Sequence, residues 1–456
     1  MMSGARKHDM TRSAHSAARA VVVGLGRTGL SCAKYLRARG VDFAVTDSRV
    51  APPELAKLRE FAPDVELHLG GFDQALLDGA SQIIASPGVS VREPMLAEAL
   101  ARGLPVVGDI ELFAHEARAP IVGITGTNGK STVTTLVKLM IDACGRRAIA
   151  GGNLGRAALD LLEDPVPDFY VLELSSFQLE TTRSLATAAA TVLNVTSDHM
   201  DRYESMDEYA EAKARIFDRC AAAVINVDDD AVRRMPRPGQ RTLGFSLHGD
   251  THAEFGIRTR NGTVELMKNG QPLVAMSELK IAGLHNAANA LASLALCAAL
   301  GLDLDRCVQA LRDFAGLPHR SQWVIDVAGI RYIDDSKGTN VGATLAAVQG
   351  LAGPLVIIAG GQGKGQDFAP LADAFRGKVH HVVLIGQDAQ QLASVLRPVC
   401  AVEFAGDMPG AVKRASQVAN PGDTVLLSPA CASLDMFRDY SHRGDVFAEA
   451  ARSLAS

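Results

Sequence analysis

Short apolar runs ending in glycine, serine or proline recur along the chain, and stretches of helical periodicity separate most of them. Residues 20–23 form the first run; it enters Gly24-Leu25-Gly26-Arg27-Thr28-Gly29, an apolar-periodic stretch continues to about Arg39, and a second run over 41–46 ends at Asp47. This reads as a βαβ unit with glycines at its first turn. The run 82–85 ends in Ser86-Pro87-Gly88-Val89, and 106–107 reads as a last short strand before a helix around 111–115. Ala119-Pro120 marks a boundary, after which runs at 121–125, 169–174, 188–193 and 223–226 alternate with helical stretches. Strands separated by helices predict a mostly parallel sheet. From 241 to 279 the pattern changes to short alternating segments with Asn261-Gly262 and Asn269-Gly270, which predict hairpins and an antiparallel patch. The alanine-rich stretch 283–300 reads as a packed helix. Beyond the punctuation at 316–320, a hairpin is expected over 323–333, and runs at 355–358, 381–385 and 424–427 predict a third α/β unit. No internal repeat is evident.

The chain has 456 residues, so two to four domains are expected. Hydrophobic residues make up 47% and charged residues 21%, with a formal net charge of -5. That balance offers no concentrated positive surface for a nucleic-acid backbone. No C-x-x-C pair occurs among the 7 cysteines, which argues against structural zinc or a redox dithiol. Residues 1–19 are polar and basic without an apolar core, and read as a flexible leader rather than a secretory signal. No apolar run is long enough to span a bilayer. A cytoplasmic protein without membrane insertion is expected.

The strongest chemical signal is Gly126-Thr127-Asn128-Gly129-Lys130-Ser131-Thr132, between an apolar run and a helix. Glycines let backbone N–H groups curl around an anion, and the helix N-terminus adds positive potential there. Lys130 is placed to reach phosphates and the Ser131 hydroxyl to meet magnesium. The spacing is shorter than the strict Walker pattern. The glycines at 24, 26 and 29 are a weaker signal, open to a dinucleotide, to another nucleotide-linked substrate, or to a tight structural turn. Glu173 and Asp198-His199-Met200-Asp201-Arg202 follow predicted strand ends, where hard oxygen ligands suit magnesium. Lys337, Lys364 and Arg320 stand in small-residue loops of the third unit and form a candidate anion-binding set. A dehydrogenase and a nucleotide-binding scaffold without catalysis remain open on these residues alone.

The phosphate loop, Asn194-Val195-Thr196 with Asp198-His199-Met200-Asp201, Gly283-Leu284-His285-Asn286, His319-Arg320 and Asp335-Ser336-Lys337 together resemble the Mur ligases, ATP-dependent amide-forming enzymes of peptidoglycan precursor synthesis. The resemblance runs from about Val21 to the C-terminus. It implies an α/β fold of three domains: a Rossmann-like domain over 20–118, a central P-loop ATPase-like domain with a small antiparallel sheet over 119–317, and a Rossmann-like domain over 318–456. Residues 174–180, 334–340 and 428–435 are similar to the branch that adds D-glutamate to UDP-N-acetylmuramoyl-L-alanine. The Asp-Asn-Pro-Arg string expected of a diaminopimelate-adding member is missing.

On this resemblance Gly126 to Thr132, Asn286, Arg320 and Asp335 would bind ATP, and Lys130, His199 and Lys213 would be catalytic. Ser131 and Glu173 would meet one magnesium. His199, with Lys213 carried as an N-carboxylated side chain, would serve a second. The UDP-linked substrate would meet Gly26, Arg27, Thr28, Asp47, Ser48, Arg49, Ser86, Pro87, Gly88, Val89, Asn153, Gln178 and His199. D-glutamate would meet Lys337, Thr339, Lys364, Ser433, Leu434 and Tyr440, the last standing where phenylalanine is usual. A monomer is expected.

Overall fold

The structure, a computed structural model, describes residues 19–455 apart from Leu154, 250–252, Asn261, Ala282 and Ala352. The leader expected over 1–19, save its last residue, and Asn261 of the first expected turn lie outside the described residues. The chain divides into two compact units, 1–113 and 114–456.

In the first unit the strands are β1 (Arg19–Val23), β2 (Phe43–Asp47), β3 (Glu66–Leu69), β4 (Ala80–Ala85) and β5 (Val106–Val107). They form one parallel sheet in the order β3-β2-β1-β4-β5. The order reverses between β1 and β4, so their carboxyl ends frame the crevice where such sheets bind ligands. Val21, Val22 and Val23 are fully buried, as expected of a strand covered on both faces.

The second unit holds two sheets. The larger contains β6 (Ile121–Thr125), β7 (Ala148–Gly152), β8 (Phe169–Glu173), β9 (Ala189–Val192), β10 (Ala222–Asn226), β11 (Arg241–Phe245), β12 (Phe255–Arg260), β13 (Thr263–Lys268) and β14 (Gln271–Ala275). Its order is β14-β13-β12-β11-β10-β9-β6-β8-β7. The antiparallel hairpins β12-β13-β14 continue the parallel sheet through one pair, Phe245 opposite Phe255. Asn269 and Gly270 both have positive φ, 48° and 76°, as the tight turn between β13 and β14 requires. The smaller sheet contains β15 (Gln322–Val327), β16 (Ile330–Asp334), β17 (Leu355–Gly360), β18 (Val379–Ile385), β19 (Ala401–Phe404) and β20 (Thr424–Leu427), in the order β15-β16-β20-β17-β18-β19. All its pairs are parallel except the hairpin β15-β16. The α/β class and the mostly parallel sheets are as expected. Three strands went unanticipated, β3, β7 and β19, and each is the outermost strand of its sheet.

One core of the second unit lies between the large sheet and two helices, Lys130–Ala143 and Leu284–Ala299. Leu136, Val137, Met140 and Ile141 from the first meet Leu291, Leu294 and Ala295 from the second, all fully buried. This packing fixes the helix that starts at the phosphate loop. Leu291→Ala would leave a cavity here and is expected to cost about 2–5 kcal/mol, whereas Leu291→Met would stay within about 1.5 kcal/mol of the parent; urea denaturation of both variants checks the difference.

Candidate active site

The phosphate loop leaves β6 at Thr125 and enters the helix Lys130–Ala143 through Gly129, whose φ is 85°. A Cβ at Gly129 would stand 2.4 Å from Asn289 Oδ1, so space and backbone both demand glycine there. The segment following β9 grips the loop from the side. Asn194 Oδ1 accepts from the Asn128 N–H at 2.8 Å, and the Asn194 carbonyl accepts from the Thr127 N–H at 2.9 Å. The Thr127 hydroxyl donates to the Thr196 carbonyl at 3.1 Å and accepts from the Thr196 N–H at 3.0 Å. Lys130 folds back, its ammonium donating to the carbonyls of Gly126 at 2.9 Å and Thr127 at 2.8 Å.

Lys213 donates to the same Gly126 carbonyl at 3.1 Å from a nearly inaccessible position, 2% exposed, beside the Tyr209 ring. Two lysines therefore share one neutral acceptor. Burial and the nearby Lys130 charge hold the Lys213 amine well below the usual lysine range, against the pull of Asp198. Lys130 is lowered by burial too; Glu173 and Asp198 oppose this, while Arg320 and Lys364 reinforce it. His199 takes a left-handed backbone, φ 58°, at the turn carrying Asp198. Burial, with the charges of Lys364, Lys130 and Lys213, brings its pKa down to about 4 despite Asp198, leaving a neutral imidazole near pH 7. Burial would raise Asp198, but His199, Lys364, an Asn340 hydrogen bond and Lys130 outweigh it and hold the acid below its usual range.

Glu173 ends β8 and is 3% exposed. Its Oε1 accepts from Asn153 Nδ2 at 2.7 Å, while its buried Oε2 has no hydrogen-bond partner. Ser131 Oγ accepts from Arg320 Nη2 at 2.8 Å. Among the described residues no three His, Cys, Asp or Glu side chains converge as a preformed metal cage. Magnesium does not need one, because it keeps several waters and takes one or two carboxylates with substrate phosphates. The orphaned Glu173 oxygen and the Ser131 hydroxyl fit that demand.

From the other side Arg320, Asp335 and Lys337 reach the same place. With Asn128, Gly129, Thr132, Asn286 and Asn289 they line a cavity of about 270 Å³. Burial lowers Arg320, and burial with the charges of Arg320 and Lys130 lowers Lys337 to about 8. The Lys337 ammonium sits 4.0 Å over the Tyr440 ring. Asp335 accepts from the Ser321 N–H at 3.0 Å and from the Ser428 hydroxyl at 2.9 Å. Burial still drives its pKa up to about 7. Lys364, with φ 54°, pairs with Asp198 at 3.6 Å. Reciprocal backbone bonds between Gln362 and Ala432 tie its loop to the one bearing Ser433. Ser433 is buried, Leu434 is exposed, and Thr339 lies half-buried two residues beyond Lys337. Gln178 is buried and closes a capping box with Ser175.

In the first unit, Gly26 caps the helix Arg27–Ala38, which places Arg27 and Thr28 in its first turn at the end of β1. Asp47, ending β2, accepts from the Leu25 N–H at 2.6 Å and from the Arg49 N–H and guanidinium at 2.7–2.8 Å. Burial would raise this acid, but Arg49 and the backbone donors hold it below its usual range. Ser48 is the residue bracketed between them. The Ser86 hydroxyl donates to the Gly24 carbonyl at 2.7 Å and starts the turn through Pro87, Gly88 and Val89 after β4. These residues gather at the carboxyl ends of β1, β2 and β4.

Three side chains that shape the second unit's site were not singled out from the sequence. Tyr209 lies 3.3 Å from the Thr127 hydroxyl. Asn340 hydrogen-bonds both Asn128 and Asp198. Arg443, fully buried, donates to Ser336 Oγ, the Ser336 carbonyl and the Cys431 carbonyl at 2.8–3.1 Å. A capping asparagine ahead of the helix Val341–Gly350 was the one available signal, and it marks a helix start, not a partner.

The chain matches three family models: the Mur ligase MurD-like N-terminal domain over residues 18–108, the Mur ligase middle domain over 124–297, and the Mur ligase glutamate ligase domain over 319–431. It is 51% identical to the UDP-N-acetylmuramoylalanine--D-glutamate ligase of Nitrosococcus oceani over 96% of this chain and 98% of that one. The Coxiella burnetii enzyme of the same name is 48% identical over 95% and 98%. Among solved structures, the UDP-N-acetylmuramate-alanine ligase of Thermotoga maritima shares the fold with a TM-score of 0.60 at 20% identity, covering 95% of this chain and 99% of that one. MurF of Acinetobacter baumannii does so with a TM-score of 0.61 at 17% identity, covering 96% and 91%.

Asp335 yields a pH signature. Its folded pKa of about 7 lies above the ordinary value of 3.8, so the fold prefers the protonated acid. That stabilisation is complete below about pH 4 and is lost as pH rises through 7. Asp335→Asn mimics the protonated form; it is expected to leave the thermal midpoint nearly unchanged at about pH 4 and to raise it by several degrees at pH 8, measured by calorimetry.

Proposed function

The chain belongs to the Mur ligase family, and from that premise we propose that it joins D-glutamate to UDP-N-acetylmuramoyl-L-alanine, using ATP and releasing ADP and phosphate, as a cytoplasmic monomer in peptidoglycan precursor synthesis. One observation carries the reading: cations converge on a phosphate loop, with Lys130 bonded to its carbonyls, Arg320 bonded to Ser131, Lys337 lining the same cavity as Asn128 and Gly129, and Lys364 paired with Asp198. Such a concentration of cations suits a reaction that must bring a triphosphate, a substrate carboxylate and a dicarboxylic amino acid together.

In this reading residues 126–132 cradle the ATP phosphates, with Asn286, Arg320 and Asp335 along the nucleotide. The substrate carboxylate attacks the γ-phosphorus, the bond to the β-γ bridging oxygen breaks, and ADP leaves an acyl phosphate. Lys130 would turn from the Gly126 and Thr127 carbonyls to the γ-phosphoryl oxygens, where charge builds. The D-glutamate amine then attacks the acyl carbon; the tetrahedral adduct loses a proton from nitrogen and expels phosphate. Lys337, Thr339, Lys364, Ser433, Leu434 and Tyr440 would hold D-glutamate, the lysines meeting its carboxylates. Asn153 and Gln178 would face the muramoyl-peptide part. Gly26 to Thr28, Asp47 to Arg49 and Ser86 to Val89 would hold the UDP end. Magnesium, when bound, neutralises phosphate charge and polarises the phosphoryl group, with Ser131 and Glu173 at one ion and His199 and an N-carboxylated Lys213 at a second. The depressed Lys213 amine supports that modification, because only a neutral amine attacks carbon dioxide.

Phosphate release with ATP and UDP-N-acetylmuramoyl-L-alanine tests the reading. D-glutamate is expected to stimulate it at least about tenfold over L-glutamate, L-alanine or diaminopimelate, a discrimination of about 1.4 kcal/mol. Stimulation by another amino acid in place of D-glutamate would sink it. For Lys213, protein equilibrated with ¹³C-bicarbonate is expected to show one carbamate carbon resonance that Lys213→Arg removes; an unchanged spectrum in the variant would refute the assignment.

A further inference from the structure

We propose that Asn340 is a positioning residue that couples occupation of the amino-acid subsite to the geometry of the phosphate loop. The inference takes its ligands from the ligase reading above, but its contacts stand independently of it. Asn340 is 2% exposed and caps the helix Val341–Gly350, its Oδ1 accepting from the Ala343 N–H at 2.8 Å. Its Nδ2 donates at 3.1 Å to Asn128 Oδ1 in the phosphate loop and at 3.1 Å to Asp198 Oδ2. Asn128 Nδ2 returns a bond to Asn340 Oδ1 at 3.3 Å. One amide thus uses both N–H groups and its oxygen to join a helix start, the phosphate loop and the acid beside His199.

Each partner is held on its far side. The Asn128 N–H is fixed on Asn194 Oδ1, so the loop cannot follow Asn340 without also disturbing Asn194. Asp198 pairs with Lys364 at 3.6 Å. The start of the helix presses on the same region, for a Cβ at Gly342 would lie 2.9 Å from Thr196 Oγ1 and 3.4 Å from Asn128 Nδ2. Asn340 also follows Thr339 directly and lies three residues beyond Lys337. A dicarboxylate drawn to Lys337 and Lys364 therefore acts on both arms of the network: it shifts the segment bearing Asn340, and it competes with Asp198 for Lys364. An asparagine side chain is matched to this task. Aspartate would cap equally well but would face Asp198 with like charge; serine would cap but fall short of both partners.

The consequence is reciprocal coupling: D-glutamate tightens nucleotide binding, and nucleotide tightens D-glutamate binding by the same factor. Calorimetric titration of the full-length protein with a magnesium complex of a non-hydrolysable ATP analogue, with and without saturating D-glutamate, measures that factor. The parent is expected to show a gain of about fivefold or more. In Asn340→Ser and Asn340→Asp the ratio is expected to fall to within about twofold of unity; both retain the cap, so circular dichroism is expected to show the parent's fold, with Asn340→Asp melting lower than the parent because its carboxylate faces Asp198. A parent-like ratio in both variants would overturn the inference, as would a ratio near unity in the parent. Hydrogen exchange over 341–350 gives a test free of the amino acid's identity. The ATP analogue is expected to protect this segment in the parent and not in Asn340→Ser; equal protection in both overturns the coupling. Failure of D-glutamate to drive phosphate release would count against the ligase reading alone.

Discussion

Positive charge packed around one phosphate loop is the constraint on which the second unit is built. Lys130, Lys213, Arg320, Lys337 and Lys364 face the buried acids Glu173 and Asp198; burial depresses Lys130, Lys213, Arg320 and Lys337, and neighbouring cations add to the effect at Lys130, Lys213 and Lys337. Left alone, such a cluster is destabilising, because burial disfavours each charge and the neighbours repel. The fold answers with neutral acceptors: the Gly126 and Thr127 carbonyls for Lys130 and Lys213, Ser131 for Arg320 and the Tyr440 ring for Lys337. These contacts hold the cations apart without neutralising them. A polyanion that enters meets groups already desolvated and aimed, which is where electrostatic preorganisation is strongest.

Strand ends deliver the parts. Thr125 and Glu173 end adjacent parallel strands, and Asn194 follows a third, so three neighbouring carboxyl ends build the phosphate loop, an acid and the loop's lateral clamp. In the smaller sheet the same geometry brings Asp335, Ser428 and the 361–364 loop together beyond β16, β20 and β17. Gly361 makes that approach possible: its φ is 132°, and a Cβ there would lie 2.2 Å from the Ala432 carbonyl oxygen. Any side chain would force apart the loops that carry Lys364 and Ser433.

What the sequence made legible follows from how each feature is encoded. A strand buried on both faces is a continuous apolar run, and β6, β8, β9, β17 and β20 could be read directly. The strands β3, β7 and β19 each lie at a sheet margin with one neighbour; β3 and β19 are half-exposed and carry no such run, while β7 is mostly buried but ends in two glycines, which read as a turn. The phosphate loop was legible because its glycines, lysine and serine are contiguous. Asn340, Tyr209 and Arg443 were not, since Asn128, Thr127 and Ser336, the partners that tie them to the site, lie 212, 82 and 107 residues away. No local pattern records a contact of that separation.

Arg443 illustrates how such a distant contact supports the site. A fully buried guanidinium would ordinarily require a carboxylate, yet its three hydrogen-bonded acceptors are a hydroxyl and two carbonyls. Burial accordingly lowers its pKa to about 10, which still leaves it charged at neutral pH. Its fork spans two loops at once, the turn after β16 that carries Lys337 and the turn after β20 that leads to Ser433. A lysine at this position could supply the charge but not the planar set of donors that fixes both carbonyls in one plane. The cost of burying the cation is therefore tied to the relative placement of two loops on adjacent strands. In the same way, the cation cluster at the phosphate loop is tied to geometry through neutral acceptors.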